Sequence, residues 1–255
     1  MIRVGKHIVQ DLMRNRFILA YTGLLLILSG SMFSLDSDPG KATLSLLNLV
    51  LMVVPLVSII FTTIYFFNSY EFIELLLSQP INRKVVFFSE VVSLSAALGM
   101  AFMIGVGLPL LILNPGGATG YMILAGLLLT WVFVSLAFVA ALSTRDKAKG
   151  IGLTLLFWFY FELIYDGFLL YIIYAFSDYP LEKVTLTLTA LNPVDLARIL
   201  ILLKLDISAL MGYTGAFYQN FFGSSQGVLV VGVLLILWAV APVLLAWRKF
   251  SRKDI

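Results

Sequence analysis

Long runs of apolar, uncharged residues alternate with short polar segments along this chain. Six runs approach or exceed the roughly 20 residues that a helix needs to cross a bilayer. These predicted spans cover residues 17–35, 44–67, 85–113, 121–143, 150–176 and 227–247. The apolar runs are continuous, whereas the strands of a membrane barrel alternate between apolar and polar residues. The pattern therefore predicts an all-α integral membrane protein with six transmembrane helices.

Composition agrees with this assignment. Hydrophobic residues make up 61 % of the chain and charged residues 12 %, whereas a soluble domain has about 45–50 % and about 25 %. The longest uncharged stretch, 91–144, is interrupted by the turn-rich sequence NPGGATG at 114–120, so it is counted as two crossings. We treat residues 1–255 as one membrane domain.

The positive charges are distributed unevenly between the two sides that six crossings define. Thirteen of the 17 Lys and Arg residues fall in the N-terminal segment, the second and fourth loops and the C-terminal tail. Basic residues accumulate in cytoplasmic segments of membrane proteins. We therefore predict that both termini are cytoplasmic and that the segment 177–226 is exoplasmic.

The N-terminal segment 1–16 is amphipathic. On a helical wheel Val4, Ile8 and Leu12 share one side, while Lys6 and Arg14 lie on the other. Such a helix lies in the membrane interface, with its basic side towards anionic headgroups. We predict an interfacial "elbow" helix that precedes the first span and contacts the lipid.

The segment between the second and third spans carries acidic residues in an otherwise apolar helix. Glu71, Glu74 and Ser78 recur at i, i+3 and i+7 and form one polar stripe. Pro80 follows the helix, and Arg83 marks re-entry into the membrane. The remaining positions are apolar, and they are Phe72, Ile73, Leu75, Leu76 and Leu77. Two interpretations remain open, an ordinary interfacial loop helix and a helix that docks into a partner protein.

Two acidic residues fall inside the fifth predicted span. Glu162 and Asp166 are four residues apart and so share one helical face. A carboxylate in a span costs about 2.5–3.5 kcal/mol on insertion scales, so it should face a cavity or another helix. Proton relay, cargo contact and an interhelical hydrogen bond are the alternatives.

The segment after the fifth span contains a strong helix-start signal. Asn192 is a good N-cap, Pro193 suits the first helical position, and Asp195 complements the helix dipole. Asp195 and Arg198 are spaced to form an ion pair. These polar residues either cap and orient the helix or contact a periplasmic partner. Just before them, VTLTLTAL at 184–191 alternates like a strand, although it could instead cover the span ends.

Several kinds of chemistry are missing from the chain. No phosphate-binding GxxxxGK[ST] motif is present, so the chain should not hydrolyse nucleotides. There is no cysteine and only one histidine, and most of the eight methionines are spread along the spans. We therefore expect no catalytic residues, no metal site, no directly bound cofactor and no nucleic-acid partner.

Two motifs resemble those of a known family. An amphipathic segment that ends in RNRF (14–17) precedes six spans, and ExxELLLxxPIxR (71–83) joins the second span to the third. Together they resemble the permease subunits of ABC-2-type exporters, and we therefore expect the chain in a bacterial inner membrane. The resemblance implies two copies of this chain and two cytoplasmic ATPase subunits that hold ATP and Mg²⁺. It also implies that a helix of this chain docks into the ATPase. The residues that would couple the two subunits are Glu71, Phe72, Glu74, Leu75, Ser78, Pro80 and Arg83.

One branch of that family is the most similar. RNRF, an acidic residue within FWFYFELIYDGFLLY (157–171) and LNPVDLARIL (191–200) resemble the NosY-type permeases. This resemblance implies that ATPase motion crosses the membrane to support copper-site maturation of nitrous oxide reductase. Asn192, Asp195 and Arg198 would then contact a periplasmic copper-handling partner. The alternatives are a conventional ABC-2 exporter of a small lipid, drug or peptide and a proton-coupled secondary transporter.

Overall fold

The computed structural model describes residue 12 and residues 14–36, 38–176, 182–202 and 225–252. Within these ranges the chain forms helices and the short turns that join them. The predicted elbow helix lies outside the described residues except for its last few positions. Most of the predicted exoplasmic segment, including residues 203–224, also lies outside them.

Six of the described helices are long and apolar enough to cross a membrane, which confirms the predicted count. In chain order, spans 1 to 6 are Arg16–Leu35, Pro39–Asn68, Arg83–Leu113, Ala118–Ser143, Lys147–Ala175 and Gly227–Arg252. Between these spans, the described part of the chain contains three shorter helices, Tyr70–Leu77, Glu182–Ala190 and Pro193–Leu202.

Side-chain caps determine where several helices begin. The Asp38 carboxylate accepts a hydrogen bond from the Gly40 amide at 2.8 Å, and Pro39 occupies the first turn, so span 2 begins five residues before the apolar run. Asp146 accepts from the Ala148 amide at 2.7 Å in the same way at the start of span 5. Polar residues outside the apolar runs thus lengthen the spans.

Span 4 is the centre of the molecule. It contacts spans 2, 3, 5 and 6 and the 193–202 helix. In its most apolar stretch 67 % of the residues are buried, compared with 11 % in the corresponding stretch of span 5. Gly126 allows span 3 to approach closely, because a Cβ at this position would lie 2.2 Å from the Phe102 ring. The core is therefore built around span 4, and span 5 leaves most of its surface uncovered.

Spans 3 and 5 each contain one π-helical turn, at Met103–Gly107 and Tyr160–Ile164. Such a turn leaves a backbone carbonyl without its usual helical donor. In span 3 the Gly105 carbonyl accepts a hydrogen bond from the Ser29 hydroxyl of span 1, at 2.8 Å. The irregular turn is thereby used to join two spans.

The strand-like interpretation of residues 184–191 is wrong, because Glu182–Ala190 is a helix. The Thr189 hydroxyl donates to the Thr185 carbonyl at 2.8 Å, one turn earlier. Two side chains from spans cap the helix C-terminus, where carbonyls lack helical donors. The Tyr165 hydroxyl donates to the Leu188 carbonyl at 2.6 Å, and the Trp238 indole donates to the Ala190 carbonyl at 3.1 Å.

Candidate functional site

The 70–77 helix presents two large apolar side chains to its surroundings. Phe72 is 50 % exposed and Leu75 is 64 % exposed. Glu71 and Glu74 are exposed beside them. The exposed face therefore combines two carboxylates with two apolar side chains on a single short helix.

The opposite face of this helix holds it against the membrane domain. Ile73 is 1 % exposed and belongs to the core cluster, and the helix contacts the end of span 2 and the start of span 3. The Ser78 hydroxyl donates a hydrogen bond to the Leu75 carbonyl at 2.8 Å. Pro80 is exposed in the turn that follows the helix. Arg83 is the first residue of span 3 and is also exposed.

A second group of predicted residues converges on Arg198, and we name Glu162, Asp166, Asn192, Asp195 and Arg198 the arginine cluster. The Arg198 guanidinium donates to the Asp166 carboxylate at 3.0 Å and to the Asp195 carboxylate at 3.2 Å. The first contact joins the 193–202 helix to span 5, and the second is the predicted i, i+3 pair. The sequence identified both groups but not the contact between them.

Asn192 makes three hydrogen bonds within this cluster. Its side-chain oxygen accepts from the Val194 amide at 3.0 Å, which confirms the predicted N-cap. Its side-chain nitrogen donates to the Asp195 carboxylate at 2.9 Å and to the Phe161 carbonyl at 3.0 Å. That carbonyl lies within the π-helical turn of span 5. The irregular turn and the cap of the 193–202 helix therefore form one connection.

Burial determines the electrostatics of this cluster. The pKa of Asp195 is raised to about 7, with burial as the largest cause. The nearby Asp166 carboxylate also raises this pKa, while Arg198 and the Asn192 hydrogen bond lower it. For Arg198, burial lowers the pKa, but the carboxylates of Asp166, Asp195 and Glu162 outweigh it and hold the pKa above its usual value. The guanidinium is thus the charge around which the three acids are arranged.

Glu162 is the member of the arginine cluster whose carboxylate is least well satisfied. Its Oε2 atom is buried and has no hydrogen-bond partner among the residues that the structure describes. The carboxylate still acts electrostatically on Arg198. Glu162 and Asp166, which sequence spacing placed on one face, therefore both face the 193–202 helix.

One acidic residue was not identified from the sequence. Glu90 in span 3 is 2 % exposed, and neither of its carboxylate oxygens has a hydrogen-bond partner within the described part of the chain. One turn earlier, Phe87 contacts the rings of Phe138 on span 4 and Phe250 on span 6, with centroids 5.7 and 5.2 Å apart. This face of span 3 is therefore directed into the helix bundle.

Comparison with known proteins gives consistent matches over nearly the whole chain. Residues 6–255 match the model of the ABC-2 family transporter proteins. The chain is 26 % identical to the "Probable ABC transporter permease protein NosY" of Stutzerimonas stutzeri, covering 98 % of this chain and 97 % of that protein. It is 27 % identical to the protein of the same name from Pseudomonas aeruginosa, covering 99 % and 98 %. With six spans and a family match of this extent, the chain belongs to the ABC-2 family of transporter proteins.

Proposed function

We propose that this chain is the membrane-spanning permease subunit of an ABC-2-type complex and that a separate subunit hydrolyses ATP. Family membership and the names of the two relatives support this role. The chain itself lacks the phosphate-binding motif of such ATPases. ATP and Mg²⁺ are therefore assigned to the partner subunit.

The main support for this proposal is the exposure of apolar and acidic side chains on one face of the 70–77 helix. A partner that binds an amphipathic helix in a groove recognises apolar anchors at helical spacing, and Phe72 and Leu75 supply them three residues apart. Glu71 and Glu74 flank the anchors and select a groove with basic edges. Because Ile73 on the opposite face is buried, a force applied to this helix reaches spans 2 and 3 directly.

The arginine cluster is a second connection, and it lies along span 5 rather than at the end of that span. It attaches the 193–202 helix to span 5 through the ion pair of Arg198 with Asp166 and the hydrogen bond from Asn192 to the Phe161 carbonyl. We assign this helix the role of passing span movement to a periplasmic partner. Similarity to NosY-type permeases supports copper-site maturation of nitrous oxide reductase as the process served. Metal handling belongs to other proteins in this account, because the chain has no cysteine and one histidine.

The proposed assembly contains two copies of this chain and two ATPase subunits in a bacterial inner membrane. With six crossings both termini would lie on the same side, and the distribution of Lys and Arg supports the cytoplasm as that side. Span 5 is the least buried span, so it has the most surface left for lipid or a second copy.

Charge reversal on the 70–77 helix tests the coupling role. Glu71→Lys with Glu74→Lys should reduce co-purification of the ATPase at least tenfold, because the acidic flanks would then repel a basic groove. Both side chains are exposed, so the permease should keep its yield and melting temperature. Lys41→Glu, an exposed charge reversal at the start of span 2, is the control. Stoichiometric retention of the ATPase by the double variant would refute this role.

A further inference from the structure

A wide cleft opens where the ends of spans 2, 4 and 6 meet the first residue of the 70–77 helix. Its volume is about 880 Å³, within the range of about 300–1,000 Å³ typical of small-molecule sites. We name it the basic cleft and define it by Phe67, Tyr70, Arg145, Arg248, Lys249 and Arg252. The last residues of span 4 complete its lining.

The four cations of the basic cleft form no ion pair with the residues that the structure describes. The ion pairs found in the described ranges both involve Arg198, in the arginine cluster. Asp146 is the acid closest in sequence to Arg145, but its carboxylate accepts hydrogen bonds from the Ala148 and Lys149 amides. Like charges brought together in this way favour binding of an anion.

The chemistry of the lining indicates a phosphate group. Three of the four cations are arginines, whose guanidinium groups bind phosphate oxygens through paired hydrogen bonds. Lys249 is held at the cleft by a hydrogen bond from its ammonium group to the Ser143 hydroxyl at 2.5 Å. The cleft therefore contains four exposed cations, one of which is held in position by a hydrogen bond, around a space large enough for a headgroup.

The surroundings favour a lipid over a free phosphate. The cleft lies at span ends, and Leu244 and Leu245, each 52 % exposed, lie just before Arg248 on span 6 and present a surface for an acyl chain. Trp247 packs against Phe88, with ring centroids 5.8 Å apart, and such aromatic residues are enriched at membrane interfaces. Anionic lipids also concentrate at the cytoplasmic surface, the side to which the charge distribution assigns this cleft.

We propose that the basic cleft binds the phosphate headgroup of an anionic phospholipid. The bound headgroup would neutralise Arg145, Arg248 and Arg252 together and so hold the ends of spans 4 and 6 close to each other. Tyr70 lines the same cleft, so the bound lipid would also fix the start of the 70–77 helix. This site requires no ATPase and is independent of the proposed coupling role.

The test uses the purified full-length chain, with phosphatidylglycerol as the probe. Retention is measured by native mass spectrometry and stability by thermal melting, with phosphatidylcholine and inorganic phosphate in parallel. Phosphatidylglycerol should stay bound and raise the melting temperature, whereas the other two should not. Arg248→Gln with Arg252→Gln should lower phosphatidylglycerol retention at least tenfold. Because both side chains are exposed, the variant should fold normally without added lipid.

The matched control removes two charges elsewhere at the membrane interface. Arg83→Gln with Lys84→Gln lies at the start of span 3, outside the lining of the cleft, and should change retention less than twofold. An equal loss in both variants would show diffuse attraction to the bilayer and overturn the proposal. Equal stabilisation by inorganic phosphate would identify a soluble anion as the ligand and would also overturn the proposal. Unchanged phosphatidylglycerol retention by the Arg248→Gln, Arg252→Gln variant would overturn it as well.

Discussion

Asp195 shows how one residue is governed by several competing effects. It lies next to an arginine, yet it is only 7 % exposed and shares that arginine with a second carboxylate. Burial is the largest influence and raises the pKa of Asp195 to about 7. The strength of the contact between span 5 and the 193–202 helix should therefore depend on pH near neutrality.

The sign of this dependence follows from linkage between proton binding and folding. The pKa of Asp195 is about 7 in the folded chain, above the value of about 3.9 expected when unfolded, so folding binds a proton between these values. The stabilisation from this proton is complete below about pH 4 and is lost as pH rises through about 7. We predict that wild type loses thermal stability relative to Asp195→Asn between pH 5.5 and 8.5. A difference independent of pH would contradict the assignment.

Glu90 provides a second prediction at this scale. Neither Glu90 carboxylate oxygen has a hydrogen-bond partner among the residues that the structure describes, and burying an unpaired charge costs several kcal/mol. The amide of Glu90→Gln has the same shape and no charge. We predict that Glu90→Gln raises the melting temperature of the purified chain. Glu90→Ala is the control, because it opens a cavity and should lower the melting temperature. Equal losses in both variants would show that the acid makes a stabilising contact.

Individual residues were predictable from sequence where the relevant partners are close in the chain. The N-cap at Asn192 and the pair of Asp195 with Arg198 follow from local spacing. The contact between Arg198 and Asp166 does not, because it depends on how span 5 packs beside the 193–202 helix. Glu90 had a usable signal, since its helical neighbours Val86 and Leu94 are apolar, but its position near Arg83 and Lys84 made it resemble a residue of the polar span end.

At the scale of elements, the 182–190 helix shows that an alternating sequence pattern does not always predict a strand. Alternating Thr and Leu is typical of a strand, since β-branched residues favour extended structure. Here the carbonyls at the helix end accept hydrogen bonds from Tyr165 and Trp238, and the Thr189 hydroxyl bonds within the helix. Tertiary contacts outweigh local preference. The two π-helical turns could not be predicted from sequence either, because their free carbonyls accept hydrogen bonds from residues of other helices.

The two faces of the 70–77 helix should respond differently to truncation. Phe72→Ala with Leu75→Ala removes exposed side chains, so we predict at least a tenfold loss of ATPase binding with an unchanged melting temperature of the permease. Ile73→Ala removes a buried side chain and should destabilise the permease by about 2–5 kcal/mol. Melting of the isolated permease and pull-down of the ATPase separate the two effects. Normal ATPase binding by the double variant would contradict the account.

For the whole molecule, the sequence was sufficient to predict six spans but not their arrangement. Length and hydropathy define a span, whereas the choice of neighbours depends on packing. Close approach at Gly126 and the hydrogen bond between Ser29 and Gly105 show how individual contacts bring spans together. Nearly every face of each span is apolar, so periodicity alone does not identify the central helix.

The proposed action connects the two ends of this arrangement. The 70–77 helix is attached to spans 2 and 3, span 4 contacts both of those spans, and it also contacts span 5 and the 193–202 helix. The arginine cluster then couples span 5 to that helix. Displacement of the 70–77 helix therefore has a continuous path of packed helices to the 193–202 helix, through span 4, the most buried of the six described spans.

Single-cysteine labelling tests the central claim most directly, since the chain contains no cysteine. Leu75→Cys places a thiol on the exposed face of the 70–77 helix, and Lys41→Cys places one at the predicted outer side. In intact cells a membrane-impermeant maleimide should label Lys41→Cys and spare Leu75→Cys. In inverted vesicles it should label Leu75→Cys, and bound ATPase should block this reaction. Labelling of Leu75→Cys from outside intact cells, or equal labelling with and without ATPase, would contradict the account.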